Sequence, residues 1–275
     1  MRRPEMMPAT ADPASPRRRE WLLAGVALLI IVAIVLAAPG GLLDKADKVG
    51  YAVCHQISVR SYFIGDRQMP LCARCTGQYL GAFFGLLAFL AVRRGRAGLF
   101  PPTTVLLILI LFFITWAFDG VNSYLTLFPG MPHLYEPHNI LRLATGILQG
   151  IAVISLVLPM FNVTAWANPD PVPPVRNLRE LAALMVMGAA LLLAVQSGWE
   201  VLLFPLAIAS ALGVVALLTL VMTVIVLLVV GRPSMATNGS QLVIPLLWGL
   251  VGSLVMIALI AAGRSALTAS LGLPF

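Results

Sequence analysis

Long apolar stretches alternate with short polar segments along most of the chain. Seven stretches lack Asp, Glu, Lys and Arg. Each is long enough to cross the hydrocarbon core of a bilayer, which takes roughly 20 helical residues. Every backbone polar group in lipid needs an internal partner, so these stretches are predicted to be helices. They are Trp21–Leu43, Cys75–Val92, Ala97–Phe118, Leu143–Pro169, Leu181–Trp199, Val201–Val230 and Pro233–Gly263.

This pattern predicts an all-α, polytopic membrane protein with about seven transmembrane helices. The first stretch follows a basic segment and ends in Ala-Ala-Pro-Gly-Gly, so it also fits a cleaved signal peptide, which would leave six spans. Its apolar run exceeds the roughly 7–15 residues usual in a signal peptide, which favours a retained anchor.

Composition supports a membrane protein, because 60% of the residues are hydrophobic and 11% are charged. The net charge of +7 raises the question of nucleic acid, but the basic residues cluster at the ends of the predicted spans. With a cytoplasmic N-terminus, 11 of the 18 Lys and Arg residues fall on the inner side. The positive-inside rule explains this bias. We therefore expect a multi-pass plasma-membrane protein in contact with the lipid bilayer, with no nucleic-acid partner.

Proline, glycine and charge divide the chain into segments. The half after residue 160 carries almost no candidate chemistry, with Glu200 alone at an outer turn. In the first half, the spacing of "LLDKADKVGYAVCHQI" predicts a short helix lying against the membrane. The predicted segments are a disordered basic inner tail (1–20), a motif-bearing membrane domain (21–160) with outer loops at 44–75 and 119–138, a Pro-rich inner linker (161–178) and C-terminal membrane helices (179–275).

All three cysteines and all three histidines fall on the predicted outer, exoplasmic side. Cys54 and His55 precede Cys72 and Cys75 by a spacer of 16 residues. Three thiolates and an imidazole are a standard complement for structural zinc, and Cys-x-x-Cys is a common zinc knuckle. Such binding is coupled to the folding of the loop. These four residues are therefore the predicted ligands of a metal ion, zinc.

Other outer polar residues are candidates for additional ligands or supporting contacts. His133 or His138 could replace His55 or supply a second site, and the alternative is that both are solvated loop residues. Charges near the membrane are usually paired or functional. An ion pair between Asp119 and Arg142 is therefore predicted near the cysteine loop, unless both merely mark helix ends.

Other interpretations of the cysteines stay open at this point. An oxidising compartment favours a disulfide from Cys54 to Cys72 or Cys75, although an odd count leaves one thiol over. Cys75 begins the second span, where a helix N-terminus and Arg74 would lower its pKa and suit redox chemistry. Unligated thiols are the remaining possibility.

Four functions follow from these interpretations, and whether the protein is an enzyme stays open. The leading one is a binding or structural module with a metal site, as a possible subunit of a larger membrane assembly. The second is a thiol-disulfide oxidoreductase. The third is metal or ion transport, against which no carboxylate or histidine lies deep in a span. The fourth is a metal-dependent hydrolase at the membrane surface, using Asp119, His133 and His138.

Small residues form two stripes at a spacing of four. Gly77, Gly81 and Gly85 lie on the second predicted span, and Gly146 and Gly150 lie on the fourth. Such stripes let helices approach closely. We predict that these two helices touch, the alternative being a ligand groove.

The cysteine segment resembles an uncharacterised prokaryotic membrane-protein family, domain of unknown function 2085, over about residues 45–155. The resemblance departs from the family at Ser58 or Val59, where a proline is frequent. It supports the site and implies no activity. The matching positions are Cys54, His55, Arg60, Ser61, Pro70, Leu71, Cys72, Ala73, Arg74, Cys75, Thr76, Gly77, Tyr79 and Gly81, followed by Asp119, Gly120, Asn139, Arg142 and Gly146.

Overall fold

The computed structural model describes residues 18–128 and 130–271. The predicted tail at 1–20 lies almost wholly outside the described residues. The remainder is a bundle of eight α-helices with one short hairpin. The elements are α1 (Arg18–Ala37), α2 (Leu42–Val53), a 3-10 turn (Ser58–Arg60), β1 (Ser61–Ile64), β2 (Arg67–Cys72), α3 (Ala73–Ala91), α4 (Thr103–Leu125), α5 (Asn139–Ala165), α6 (Leu178–Gln196), α7 (Glu200–Val229) and α8 (Ser240–Leu271).

The prediction of an all-α, polytopic membrane protein is confirmed. A helix forms over every one of the predicted apolar stretches. Within the described residues, six helices are long and apolar enough to cross a membrane, namely α1, α4, α5, α6, α7 and α8. The remaining long helix, α3, begins with the polar residues Arg74, Thr76 and Gln78, which lower its mean hydropathy.

Large apolar side chains cover the outside of the bundle. Leu107 on α4, Val186 on α6 and Leu228 on α7 are each more than half exposed. Contiguous exposed apolar surface is unfavourable in water and marks a lipid or protein contact. On helices of this length, the surrounding medium is the bilayer.

The centre of the bundle is α5, which packs against α3, α4, α6 and α7. In its most apolar stretch 67% of the residues are buried inside the protein, against 22% in α4. The side chains that fill the interior are branched and apolar, which suits close packing. Fully buried members include Leu80, Leu109, Leu143, Ile151, Leu181 and Leu203.

Helices α3 and α5 run parallel with their backbones in direct contact along the predicted glycine stripes. A Cβ atom added at Gly77 would lie 2.3 Å from the carbonyl oxygen of Leu143, and one at Gly146 would lie 2.2 Å from that of Arg74. Cβ contacts this short essentially never occur, so only glycine fits.

The other stripe positions extend the same contact. Gly81 approaches the backbone of Ile147, and Gly150 approaches that of Gln78. Gly85 meets only a side chain, the Cγ2 atom of Ile154, so the backbones diverge slightly towards the end of α3. The small residues therefore serve packing, as small-residue stripes in membrane helices commonly do.

The polar loops gather at two ends of the bundle. One end carries α2, the hairpin and residues 126–138, and is called here the cysteine end. At the opposite end, Arg94 forms an ion pair with Glu180, and the Asn162 amide donates to the carbonyl oxygen of Ala97. The predicted grouping of the cysteine loop with the second outer loop agrees with this arrangement. Which end faces the cytoplasm stays a prediction.

Two helices extend beyond their predicted ends. Asp119 was expected to close the third span, but α4 continues to Leu125. The reason is that Asp119 is buried and ion-paired with Arg74, so it does not need to reach water. Similarly, α8 continues to Leu271, eight residues past the predicted end at Gly263. By contrast, α5 ends at Ala165, inside its predicted apolar stretch but five residues into the predicted linker.

The cysteine loop contains more regular structure than its sequence suggested. The predicted short helix forms as α2, and Arg67 on β2 pairs with Asp44 and Asp47 on its polar face. The antiparallel hairpin of β1 and β2 was missed. Its signal is Gly65-Asp66 between two short runs rich in aromatic and apolar residues, since a glycine at positive φ suits a two-residue turn.

Candidate metal centre

Three cysteines from different elements converge at the cysteine end. Cys54 directly follows α2, Cys72 ends β2, and Cys75 lies in the first turn of α3. Their Sγ atoms all lie within 4.8 Å of one another. All three thiols are free. Hence a helix end, a strand end and a helix start meet at one group of sulfur atoms.

Local backbone structure holds each cysteine in position. The Cys54 N–H donates to the carbonyl oxygen of Gly50 at 2.8 Å, which completes the last turn of α2. Cys72 pairs with Ser61 in the hairpin. The Thr76 hydroxyl donates to the carbonyl oxygen of Leu71 at 3.0 Å and ties the start of α3 back to β2.

The close approach of α2 to β2 depends on a glycine. A Cβ atom at Gly50 would lie 1.9 Å from the carbonyl oxygen of Pro70. The Gln56 side chain bridges the same two elements, because its amide donates to the carbonyl oxygens of Asp47 at 3.1 Å and Pro70 at 2.8 Å. Gln56 has a φ of 54°, and this turn directs the chain from α2 towards the hairpin.

Apolar residues from the C-terminal helices cover the thiols. Cys54 is buried and packs with Leu71, with Val214 of α7 and with Ile257 of α8. Cys72 and Cys75 are only partly buried. The cluster is therefore most deeply buried at Cys54.

Backbone N–H groups point at the most buried sulfur. The Cys54 Sγ atom accepts from the N–H of Cys72 at 3.2 Å and from that of Gln56 at 3.4 Å. Hydrogen bonds donated to an ionisable group favour its charged form. These N–H groups favour the thiolate that binds metal, although the hydrogen bond with the Cys72 thiol outweighs them in the protein without a cation.

The thiols perturb one another's pKa values. Hydrogen bonds from the Cys54 thiol, then from Cys75, lower the pKa of Cys72 well below its usual range, and Arg74 contributes. The hydrogen bond with Cys72 is the largest cause that raises the pKa of Cys54 to about 11. The pKa values of Cys72 and Cys54 are therefore shifted in opposite directions. A bound cation would favour deprotonation of all three.

The donor set and its spacing fit zinc. A tetrahedral site with Zn–S bonds of about 2.3 Å places neighbouring sulfurs about 3.8 Å apart. The three Sγ atoms lie within 4.8 Å of one another, so they need to move only slightly closer together to bind zinc. Among the described residues, these cysteines are the one group of three His, Cys, Asp or Glu side chains close enough to share a metal ion.

The structure does not bring the predicted histidines to this group. His55 is exposed, and its carbonyl oxygen accepts from Arg264. His133 is exposed and lies 2.9 Å from a carboxylate oxygen of Glu136. That contact raises the pKa of the His133 imidazole. His138 is an exposed residue at the start of α5.

The predicted ion pair between Asp119 and Arg142 is wrong, because Asp119 pairs with a different arginine. Asp119 instead forms a buried ion pair with Arg74, and its other oxygen accepts from the Tyr135 hydroxyl at 2.8 Å. Arg142 donates to Asn139 at 2.8 Å and to the Ser123 hydroxyl at 3.3 Å. The reason is that Arg74, at the start of α3, faces α4, so its guanidinium occupies the contact with the Asp119 carboxylate.

Sequence reasoning also missed Arg264 of α8. Its guanidinium donates to the carbonyl oxygens of Tyr51, Cys54 and His55 at the end of α2. It also stacks over the ring of Tyr51, with its Cζ atom 4.2 Å from the ring centroid. A lone arginine inside a long apolar stretch was its only signal, since charges in such stretches are usually paired or functional.

Fold and site together define a polytopic helical membrane protein with a tri-cysteine cluster at one end. Comparison with known proteins then identifies the family. The chain belongs to the family described as predicted membrane protein (DUF2085), which it matches over residues 54–156. The predicted resemblance is therefore confirmed.

Two archaeal proteins are similar to part of this chain. An uncharacterized protein of Methanocaldococcus jannaschii is 32% identical over 109 residues, which are 40% of this chain and 64% of the relative. An uncharacterized protein of Methanothermobacter thermautotrophicus is 37% identical over 109 residues, which are 38% of this chain and 86% of the relative. No solved structure matches this chain.

Proposed function

We propose that this membrane protein binds a zinc ion through Cys54, Cys72 and Cys75, in a binding or structural role. The observation that carries the proposal is the convergence of three free thiols, from three separate elements, within 4.8 Å. A disulfide would use two of these thiols and leave the third beside it. A soft metal ion uses all three as thiolates.

A bound zinc ion would supply a cross-link between the end of α2, the hairpin and the start of α3. The segment between α1 and α3 is short, so such a link would help to order it. We further propose that this end is exoplasmic, and that the ordered segment can serve as a contact for other membrane subunits.

The three cysteines leave one coordination position over in a tetrahedral site. This position belongs either to His55, after its exposed side chain rotates, or to a water molecule beside the partly buried Cys72 and Cys75. With His55 the site is closed and structural. With water it is open to an external ligand, as in catalytic zinc sites.

The test is metal content and free-thiol titration on the same detergent-purified sample. Wild type is compared with Cys75→Ser, which removes one sulfur, and with His55→Ala. We expect about one zinc per chain in wild type, with thiols that titrate only after chelation. Cys75→Ser should lose the metal.

His55→Ala separates the two forms of the site. Retention of zinc at wild-type affinity assigns the fourth position to water, whereas a loss of about 10–100-fold in affinity assigns it to His55. Absence of metal from wild type, with one thiol reactive before reduction and three afterwards, would contradict the proposal.

The second candidate is a thiol-disulfide oxidoreductase, and that last result would favour it. The supporting observation is that Cys54 lies beside both cysteines of the Cys-x-x-Cys segment, where it could resolve a mixed disulfide. A hydrolase using Asp119, His133 and His138 has no such support, because these residues do not form a group of three metal ligands in the described structure.

A further inference from the structure

Three arginines converge on a single serine at the cysteine end, beside the thiols. Arg60 donates to the carbonyl oxygen of Ser123 at 2.8 Å. Arg74 and Arg142 both donate to the Ser123 hydroxyl, at 3.0 Å and 3.3 Å. Arg60, Arg74 and Arg142 are called here the arginine cluster. They come from the 3-10 turn, α3 and α5, and Ser123 lies on α4.

One carboxylate balances the charge of this cluster. Asp119 gives one oxygen to Arg74 and the other to the Tyr135 hydroxyl, so it has no oxygen directed at the remaining arginines. Among the residues that the structure describes, neither Arg60 nor Arg142 forms an ion pair. Counted against this carboxylate alone, the cluster carries an excess of two positive charges.

Burial makes this excess significant. Arg142 is 6% exposed and has only the neutral partners Ser123 and Asn139. A guanidinium cannot lose its proton in a protein, so it cannot escape the cost of burial by becoming neutral. Buried charges are normally paired with a counter-charge.

The cluster also has donors to spare. In the described structure, Arg60 donates only through Nη2, Arg74 through Nε and Nη2, and Arg142 through Nε and Nη1. Some described side-chain nitrogen and oxygen atoms are fully buried and lack a hydrogen-bond partner, but none of them belongs to these three arginines. The remaining guanidinium nitrogens therefore keep N–H donors that no described protein group uses.

We propose that the arginine cluster binds a phosphate group at the cysteine end. The planar guanidinium forks match phosphate oxygens in geometry. A phosphate monoester carries nearly two negative charges at neutral pH, which equals the excess of the cluster, whereas a carboxylate carries one. The site lies where the helices emerge from the bilayer, so the phosphate belongs either to a lipid headgroup or to a soluble anion.

This site is separate from the metal site, and its test does not depend on zinc. The purified full chain is titrated with sodium phosphate against sodium chloride at equal ionic strength, and thermal unfolding is followed. In a second arm, the protein is held in phosphatidylcholine nanodiscs with and without phosphatidic acid. Wild type is compared with Arg60→Gln, Arg142→Gln and the control Arg67→Gln, which removes an exposed arginine from the neighbouring hairpin.

We expect stabilisation of wild type by phosphate over chloride, or by phosphatidic acid over pure phosphatidylcholine. The first result assigns a soluble phosphate and the second a lipid headgroup. In Arg60→Gln, half-maximal stabilisation should need at least about tenfold more phosphate or phosphatidic acid, because the variant lacks a charge-assisted hydrogen bond. In Arg67→Gln, the required concentration should be unchanged.

Two results would overturn the proposal. One is the lack of stabilisation of wild type in both arms. The other is an equal loss in Arg67→Gln and Arg60→Gln, which would show a general effect of surface charge. If Arg142→Gln fails to fold, Arg60→Gln alone decides, because Arg60 is only partly buried and its loss leaves the ion pair of Arg74 in place.

Discussion

Arg264, near the end of the last helix, donates a hydrogen bond to the carbonyl oxygen of Cys54, 210 positions earlier in the chain. Carbonyl groups at the end of a helix lack partners within that helix and carry partial negative charge. A guanidinium supplies both the donors and the opposite charge. The last span thereby holds the segment that carries the first cysteine.

Replacement of Arg264 should loosen this attachment. We expect Arg264→Gln to destabilise the protein by about 1–3 kcal/mol, because hydrogen bonds from a charged donor contribute about that much. Thermal unfolding in detergent measures the effect. Arg179→Gln removes an exposed arginine of α6 and should change little. Equal midpoints for Arg264→Gln and wild type would show that α8 does not hold α2.

Close contact between α3 and α5 predicts strong sensitivity at the stripe glycines. A Cβ atom at Gly150 would lie 2.0 Å from the carbonyl oxygen of Gln78, so Gly150→Ala must separate the helices. We expect a loss of about 1–3 kcal/mol, the usual cost of overpacking.

The matched control for this experiment is Gly25→Ala in α1. A Cβ atom there meets nothing within 4 Å. Alanine has the higher helix propensity, so this variant should be neutral or more stable by up to about 1 kcal/mol. Similar unfolding midpoints for the two variants would contradict the observed packing.

The buried ion pair of Asp119 with Arg74 predicts a large effect of charge removal. Asp119→Asn leaves Arg74 without its counter-charge, and breaking a buried pair on one side typically costs about 3–5 kcal/mol. Asp66→Asn, in the exposed hairpin turn, should stay within about 0.5 kcal/mol of wild type.

A double variant tests whether the two residues act together. Asp119→Asn combined with Arg74→Gln should be less destabilised than the sum of the single variants, because the second change removes the charge that the first left unpaired. Additive losses in unfolding free energy would mean that the two side chains contribute independently.

Acid should weaken the contact of the hairpin with α2. The hydrogen bond from Arg67, followed by that from the Gly41 N–H, holds the pKa of Asp44 below its ordinary value of 3.8. A lowered pKa stabilises the folded state above the unfolded pKa, and this contribution is lost as the pH falls through the folded pKa.

The comparison of wild type with Arg67→Gln measures this contribution. The difference between their unfolding midpoints should be present near neutral pH and should shrink as the pH falls below about 4. A difference that stays constant through this range would show that Arg67 acts through packing rather than through its charge.

The sequence alone determined the class of protein and most of the helices. A span must be apolar over its whole length, and this requirement is local, so every predicted stretch contains a helix. The cysteines were also predictable as a group, because Cys72 and Cys75 share one helix start and Cys54 lies only one short loop away. The glycine stripes predicted which two helices touch, since close approach requires small residues at a regular spacing.

Tertiary structure decided which side chains meet. His55 follows Cys54 directly, yet the turn at Gln56 leaves it in solvent. Asp119 pairs with Arg74 rather than Arg142. Such choices depend on how helices distant in sequence are rotated and placed, and hydropathy carries no information about rotation. For the same reason, the convergence of three arginines on Ser123 became visible only in the folded chain.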